Sequence, residues 1–206
     1  MQLIGYLDSP FVRRVAISMR FLGIDYEHRE LSIFRDFEEF QKIHPAVKVP
    51  TLVCDNGEAM IDSTLIIEYL EQHVAGRSLM PEGKEDFQKA SNIIGLALIA
   101  MEKVAQIIYE TGLRPEEKQH APWLVRIEQQ LRGTVGLLEE AVKPVAEHRW
   151  LFGDRITQAD ISTAVVWRFI QHVDRARQTV GDYPALVEFS ASAEKLDEFI
   201  DCPLSD

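Results

Sequence analysis

The stretch from His44 to Ser63 places the tightest limits on how this chain can fold. Pro50 cannot donate to a sheet ladder, so it must stand at the start of the strand through Thr51 and Cys54 rather than inside it. An X-Pro bond is the one peptide bond for which cis costs little, and a proline wedged between loop and strand predicts a cis bond at Val49-Pro50. Asp55-Asn56-Gly57 carries turn chemistry, so the chain should return at 58–61 as an antiparallel strand. Ser63 is then the expected N-cap of a helix, because Ile66, Ile67, Leu70 and Val74 follow at helical spacing.

Upstream, residues 3–7 read as a buried strand. Ser9 caps the next helix and Pro10 occupies its first position, where a missing N–H costs nothing. Val12, Val15, Ala16, Met19 and Leu22 form the inner face of that helix, and Gly23 ends it. A strand at about 25–31 should lie parallel to the first through a right-handed crossover. With a short helix at 36–43 and the hairpin, this makes a four-stranded mixed sheet. Residues 75–84, with two Gly and one Pro, read as a linker, and the remainder is helical. A long helix carries Ile94, Ala97, Leu98, Met101, Ala105 and Ile108 on one face, but Ile93, Leu96, Ala100, Val104 and Ile107 on another. Apolar character on two sides predicts a buried helix or a partner. Leu124, Ile127, Leu131, Val135 and Leu138 mark the next helix, and Trp150 to Gly153 a packed connector. Further helices are expected at about 158–173, opened by a Thr157-x-x-Asp160 capping box, and after Pro184.

The loop, proline, hairpin and Asp62-Ser63 helix start resemble the glutathione-binding half of soluble glutathione S-transferases. Ser9-Pro10-Phe11-Val12-Arg13-Arg14-Val15 is similar to the first-helix start of serine-type classes, including the plant tau class and several bacterial groups. Gly153-Asp154-Arg155-Ile156-Thr157-Gln158-Ala159-Asp160 is similar to the capping box of the family's second domain. The resemblance implies an α/β thioredoxin-like glutathione-binding domain at 1–74, a linker at 75–84 and an all-α helical-bundle domain at 85–206. It implies glutathione as co-substrate, a small hydrophobic electrophile, a homodimer, and a conjugating transferase as the activity.

What the resemblance implies for the site follows residue by residue. A thiol of pKa near 8.5 is only about 3% ionised at pH 7, so the task is to stabilise a thiolate. Ser9, at the positive end of a helix dipole, would donate its hydroxyl to the sulfur. It would not act as a nucleophile, since no His neighbours it in sequence. Tyr6 competes for this role, because several classes use a tyrosine near the end of the first strand; here it reads as core or rim. Asp62 would hold the γ-glutamyl ammonium and Ser63 the carboxylate, although Asp62 stands where the family usually carries Glu. Val49 would offer backbone N–H and C=O to the cysteinyl residue in the manner of an added strand. Lys48 could pair with the glycine carboxylate, and Arg35 falls near a basic position used by related classes. The electrophile would sit between the domains against Phe11, Met101, Ala105 and Tyr109, with Trp167 as a further candidate.

Composition narrows the remaining classes. The chain has 206 residues and a net charge of −11, which opposes binding to nucleic acid, although the first helix gathers Arg13, Arg14 and Arg20. Its longest purely apolar run, 93–101, is about half of what spans a bilayer, so no membrane role is expected. No signal peptide is read at the N-terminus, which suggests a cytoplasmic protein. Cys54 and Cys202 read as isolated reduced thiols, without spacing for a disulfide pair or a metal. The competing reading is a non-catalytic member of the same fold, of the stringent-starvation, polymerase-associated type, which would lack the thiol and γ-glutamyl contacts. A glutathione-dependent isomerase or peroxidase is a further alternative on the same scaffold.

Overall fold

Four strands of three residues each are all that the first third of the chain devotes to sheet. They are β1 (Gln2–Ile4), β2 (Glu27–Arg29), β3 (Thr51–Val53) and β4 (Ala59–Ile61), in the order β2-β1-β3-β4. β1 and β2 are parallel, with Leu3 opposite His28. β3 lies antiparallel to both β1 and β4, with Leu52 opposite Leu3 and Met60. A parallel pair needs a crossover, and α1 (Pro10–Leu22) provides it. Pro10 opens α1, and Gly23, at φ 70°, ends it by returning its N–H to the carbonyls of Arg20 and Met19. The strands are shorter than the apolar runs suggest. Gly5, at φ 131°, stops β1 after Ile4 and starts the loop to α1.

α2 (Phe37–Ile43) and α3 (Ser63–His73) complete this layer. Ile4, Leu31 and Phe40 form one buried cluster, with Val47 and Val49 packed on its side. The Val49-Pro50 bond is cis, as expected. The computed structural model describes residues 1–74, 76–147 and 149–204. Ala75, the first residue of the expected linker, lies outside them, as do His148 and the last two residues of the expected helical domain.

The chain divides into two units, Met1–Leu79 with Lys195–Asp206, and Met80–Glu194. The C-terminal segment therefore belongs with the sheet and not with the helices, which departs from the expected 85–206 domain. The reason is visible on α1. Arg13 is almost fully buried and donates from Nε to the carbonyl of Cys202 at 2.8 Å. Its guanidinium also lies 5.7 Å from the centre of the Phe199 ring, which Phe21 meets edge-on.

The second unit contains α4 (Lys84–Ile108), α5 (Ala121–Val142), α6 (Gln158–His172), α7 (Asp174–Val180) and α8 (Pro184–Ala193). The short α9 (Asp197–Ile200) follows in the segment that returns to the first unit. The stretch Lys84–Leu113 is long and apolar enough to cross a membrane by length and composition, more so than its longest uninterrupted apolar run suggests. It packs along α5 and α6 and buries Ala90, Ile94, Ala97, Met101 and Val104. α4 ends in a π-helical turn, Tyr109–Leu113. There the buried Glu110 accepts from the His120 N–H at 2.7 Å, at the start of α5.

The capping box at α6 forms as read. The buried Asp160 carboxylate accepts from the Thr157 N–H (2.7 Å), the Thr157 hydroxyl (2.6 Å) and the Leu151 N–H (2.8 Å), tying the connector to the helix. Burial raises the Asp160 pKa, and these hydrogen bonds offset it only in part. A folded-state pKa above the unfolded value makes the folded chain the better proton binder. The group's contribution is therefore complete below the ordinary aspartate range and is lost as pH rises through the raised value. We expect Asp160→Ala to cost about 3 kcal/mol and Thr157→Ala about 1 kcal/mol in urea unfolding. The stability of wild-type relative to Asp160→Asn should fall as pH rises above the ordinary aspartate range; a rise there would contradict this assignment.

Candidate functional site

Ser9 stands at the N-cap position of α1, with extended backbone (φ −74°, ψ 120°), yet its side chain makes no cap hydrogen bond. The turn before the helix is held by the backbone instead. The Ser9 N–H donates to the Tyr6 carbonyl at 3.2 Å, and the Ser9 carbonyl accepts from Arg13. The hydroxyl therefore sits, half-buried, at the positive end of a 13-residue helix with its donor unspent on that helix.

Gly5 brings a second element to this turn. A Cβ placed on it would lie 2.7 Å from the Val12 side chain and 2.9 Å from the Val49 side chain, so only glycine allows the β1–α1 loop to pack so closely on these two valines. The Gly5 N–H bonds the Arg29 carbonyl, and the Gly5 carbonyl meets His28 Nε2 at 2.7 Å. On the far side, Val47 is a β-branched residue at φ 45°, a rare conformation that turns the chain from His44 toward Lys48. The Thr51 hydroxyl fixes the Lys48 carbonyl at 2.7 Å, and the Lys48 side chain is exposed.

The third element corrects the expected cap. Asp62, not Ser63, is the N-cap of α3. At φ 73° its carboxylate folds under the helix, and Oδ1 accepts from the N–H groups of Thr64 (2.8 Å) and Leu65 (3.3 Å). This relieves Ser63, the first helical residue, of capping. The Ser63 hydroxyl oxygen instead accepts from Arg14 Nη1 at 2.8 Å, and the same nitrogen reaches the Thr64 hydroxyl at 3.2 Å. Because Arg14 supplies the proton in that bond, the Ser63 hydroxyl keeps its own hydrogen for an outside acceptor such as a carboxylate. Arg14 is 1% exposed. Burial pushes its pKa down to about 10 against the attraction of Asp62, which leaves it a cation at neutral pH.

Arg35 approaches the same turn with its guanidinium over the Tyr6 ring, 5.2 Å from the centre. The structure thus brings Ser9, Val49, Ser63 and Arg35 to α1 and the loop before it, through Gly5, Arg14 and Tyr6. Phe11 is half-buried on α1. The other expected electrophile contacts belong to the second unit. Met101 is fully buried and is a core residue rather than part of an open surface, Ala105 is half-buried, and Tyr109 is exposed at the π-helical turn. Trp167 is buried with its ring edge-on to Tyr183, so it too is core.

Sequence reasoning missed Gly5 and Arg14. A glycine directly after the first apolar run was the available signal for Gly5. For Arg14 the signal was a charge lodged between Val12 and Val15 on the helix's inner side. Both cysteines are free and buried, and among the described residues no group of three or more His, Cys, Asp or Glu could hold a metal.

Two glycines separate close packing from backbone freedom. Gly5→Ala should cost at least about 2 kcal/mol in thermal unfolding, because the new methyl meets Val12 and Val49 in addition to the unfavourable φ. Gly57→Ala, at φ 84° with nothing within 4 Å, should cost about 1 kcal/mol. Equal losses would show that close approach at Gly5 is unimportant.

Comparison with known proteins places the fold. The family model "Glutathione S-transferase, N-terminal domain" matches residues 3–78, and "Glutathione S-transferase, C-terminal domain" matches residues 121–192. The GST-like protein YibF of Escherichia coli is 28% identical over 139 residues, 68% of each chain. Maleylacetoacetate isomerase of Pseudomonas aeruginosa is 26% identical over 169 residues, covering 78% of this chain and 77% of its own. A crystal structure of a glutathione S-transferase from Methylobacterium radiotolerans, in complex with glutathione sulfonate, shares the fold with a TM-score of 0.89 at 23% identity, over 100% of this chain and 95% of that one. With both domain families matched in order, and with a thioredoxin-like sheet followed by a helical unit, the chain belongs to the soluble glutathione S-transferase family.

Proposed function

We propose that the protein binds glutathione through its first unit, stabilises the thiolate with Ser9 and directs it at a small hydrophobic electrophile. The observation that carries this reading is the Ser9 hydroxyl, placed at the N-terminus of α1 and not used to cap it. A hydrogen bond to a charged group contributes about 1.5 to 3 kcal/mol, or roughly one to two pKa units, enough to bring a thiol near neutral pH without a base. The Val49 backbone pairs with the cysteinyl residue. The Ser63 hydroxyl receives the γ-glutamyl carboxylate, and Asp62 meets the ammonium with Oδ2, since its cap bonds use Oδ1. Lys48 and Arg35 supply the cations for the remaining negative charge. Phe11, half-buried on α1, is the residue of the first unit that we assign to the electrophile.

The similarity to maleylacetoacetate isomerase favours a second reading on the same site. An isomerase would use the same thiolate, adding to an activated double bond and leaving again, so that glutathione is regenerated. Conjugation consumes glutathione one for one. Following glutathione alongside product over a panel of aromatic halides, cis-olefinic diacids and peroxides separates these chemistries.

Ser9→Ala tests the assignment common to both. Turnover near neutral pH should fall about ten- to a hundredfold with glutathione affinity nearly unchanged, because the groups assigned to the tripeptide's charged ends are untouched. Unchanged turnover in a folded variant would remove Ser9 from the mechanism. Failure of the unaltered protein to bind immobilised glutathione would favour the non-catalytic reading.

We also propose a two-fold homodimer, supported by Phe87 and Ile99 of α4, which are 51% and 43% exposed on an otherwise core-forming helix. Light scattering at micromolar concentration should give about twice the chain mass of 23.5 kDa. The single-chain mass would exclude the dimer.

A further inference from the structure

We propose that Tyr6 is a positioning residue: its ring face holds the Arg35 guanidinium beside the turn that presents Ser9, so that Arg35 meets a carboxylate of glutathione already oriented. This rests on the glutathione reading above and assigns Tyr6 a part different from that of a thiolate donor.

The chain carries 33 Asp and Glu against 22 Lys and Arg, so an exposed arginine has carboxylates in ready supply. Arg35 nevertheless makes no ion pair among the described residues, and its guanidinium lies over the Tyr6 ring, 5.2 Å from the centroid. A guanidinium held over a ring face by cation–π attraction needs no hydrogen-bond acceptor for that contact, which leaves its N–H donors for an anion. Its backbone is also fixed. Ser32 Oγ accepts from the N–H groups of Phe34 and Arg35, both at 3.2 Å, and the Ser32 N–H donates to Asp36 Oδ2 at 2.8 Å. Tyr6 is anchored in the Ser9 turn itself, because its carbonyl accepts the Ser9 N–H. The ring thus connects the arginine loop to the loop that carries the hydroxyl. It holds the cation by its face, which is a property of the ring and not of the phenol.

Substitutions at Tyr6 in the full-length protein distinguish ring face from hydroxyl. Tyr6→Phe keeps the face and should leave glutathione affinity, by calorimetry, and the bound thiol's pKa, by ultraviolet titration, as in wild-type. Tyr6→Leu removes the face and should weaken affinity about two- to fivefold with turnover at saturation unchanged. It should have no further effect in an Arg35→Met background. If leucine disturbs folding, replacing Tyr6 with progressively fluorinated phenylalanines preserves shape while draining the ring face, and affinity should fall stepwise with fluorination. A raised thiol pKa in Tyr6→Phe would make the hydroxyl the donor and overturn the proposal. So would affinity unchanged in a folded Tyr6→Leu or across the fluorinated series, or a loss that persists undiminished without Arg35. Wild-type protein that does not bind glutathione would overturn both this proposal and the functional reading, whereas binding that is indifferent to the Tyr6 ring would overturn this one alone.

Discussion

Two adjacent guanidiniums buried on one helix organise the first unit. Arg13 and Arg14 are each 1% exposed, and taking a charge out of water is costly unless it is met by hydrogen bonds. Arg14 meets the hydroxyls of Ser63 and Thr64 at the start of α3, and Arg13 meets the Cys202 carbonyl and the Phe199 ring. α1 therefore fixes the strand-to-helix corner that carries the acid-Ser pair and also the segment returning from the second unit. Among the described residues Arg14 Nε has no hydrogen-bond partner, so the arrangement is not an optimum of stability. What it supplies is placement: a hydroxyl at Ser63 that already has a donor and must direct its own hydrogen elsewhere.

The same helix gives the site its electrostatics. Its N-terminus concentrates unpaired N–H groups and partial positive charge, and Ser9 adds a hydroxyl there. Gly5 lets the loop before this end pack closely on the Val49 side chain. A helix N-terminus alone attracts any anion. The proposed selectivity for a peptide with a thiol and a zwitterionic end therefore rests on the carboxylate and hydroxyl at the next helix start.

Features governed by local chemistry were legible in the sequence. Pro50 at a strand start, Asp55-Asn56-Gly57 as a turn, Pro10 and Gly23 bounding α1, and the Thr157–Asp160 box each depend on residues within a few positions of one another. Features governed by tertiary contact were not. The sequence shows that the first helix gathers Arg13, Arg14 and Arg20 but not that the first two are interior, because their partners at Cys202 and Ser63 lie 189 and 49 residues away. Asp62 displaced Ser63 as the cap because its backbone adopts a left-handed conformation that no pattern of residue types announces. The C-terminal segment looked like a continuation of the helical domain because hydrophobic periodicity carries no address. Met101 looked like a wall of the electrophile site because a core face and a binding face share one spacing.

The central claim is that the N-terminus of α1 is built to hold a thiolate. Its most direct measurement is the pH dependence of thiolate ultraviolet absorbance for glutathione bound to the unaltered protein, compared with free glutathione. The account predicts a bound-state pKa lower by roughly one to two units, near neutrality. Glutathione that binds and titrates as it does in free solution would contradict it.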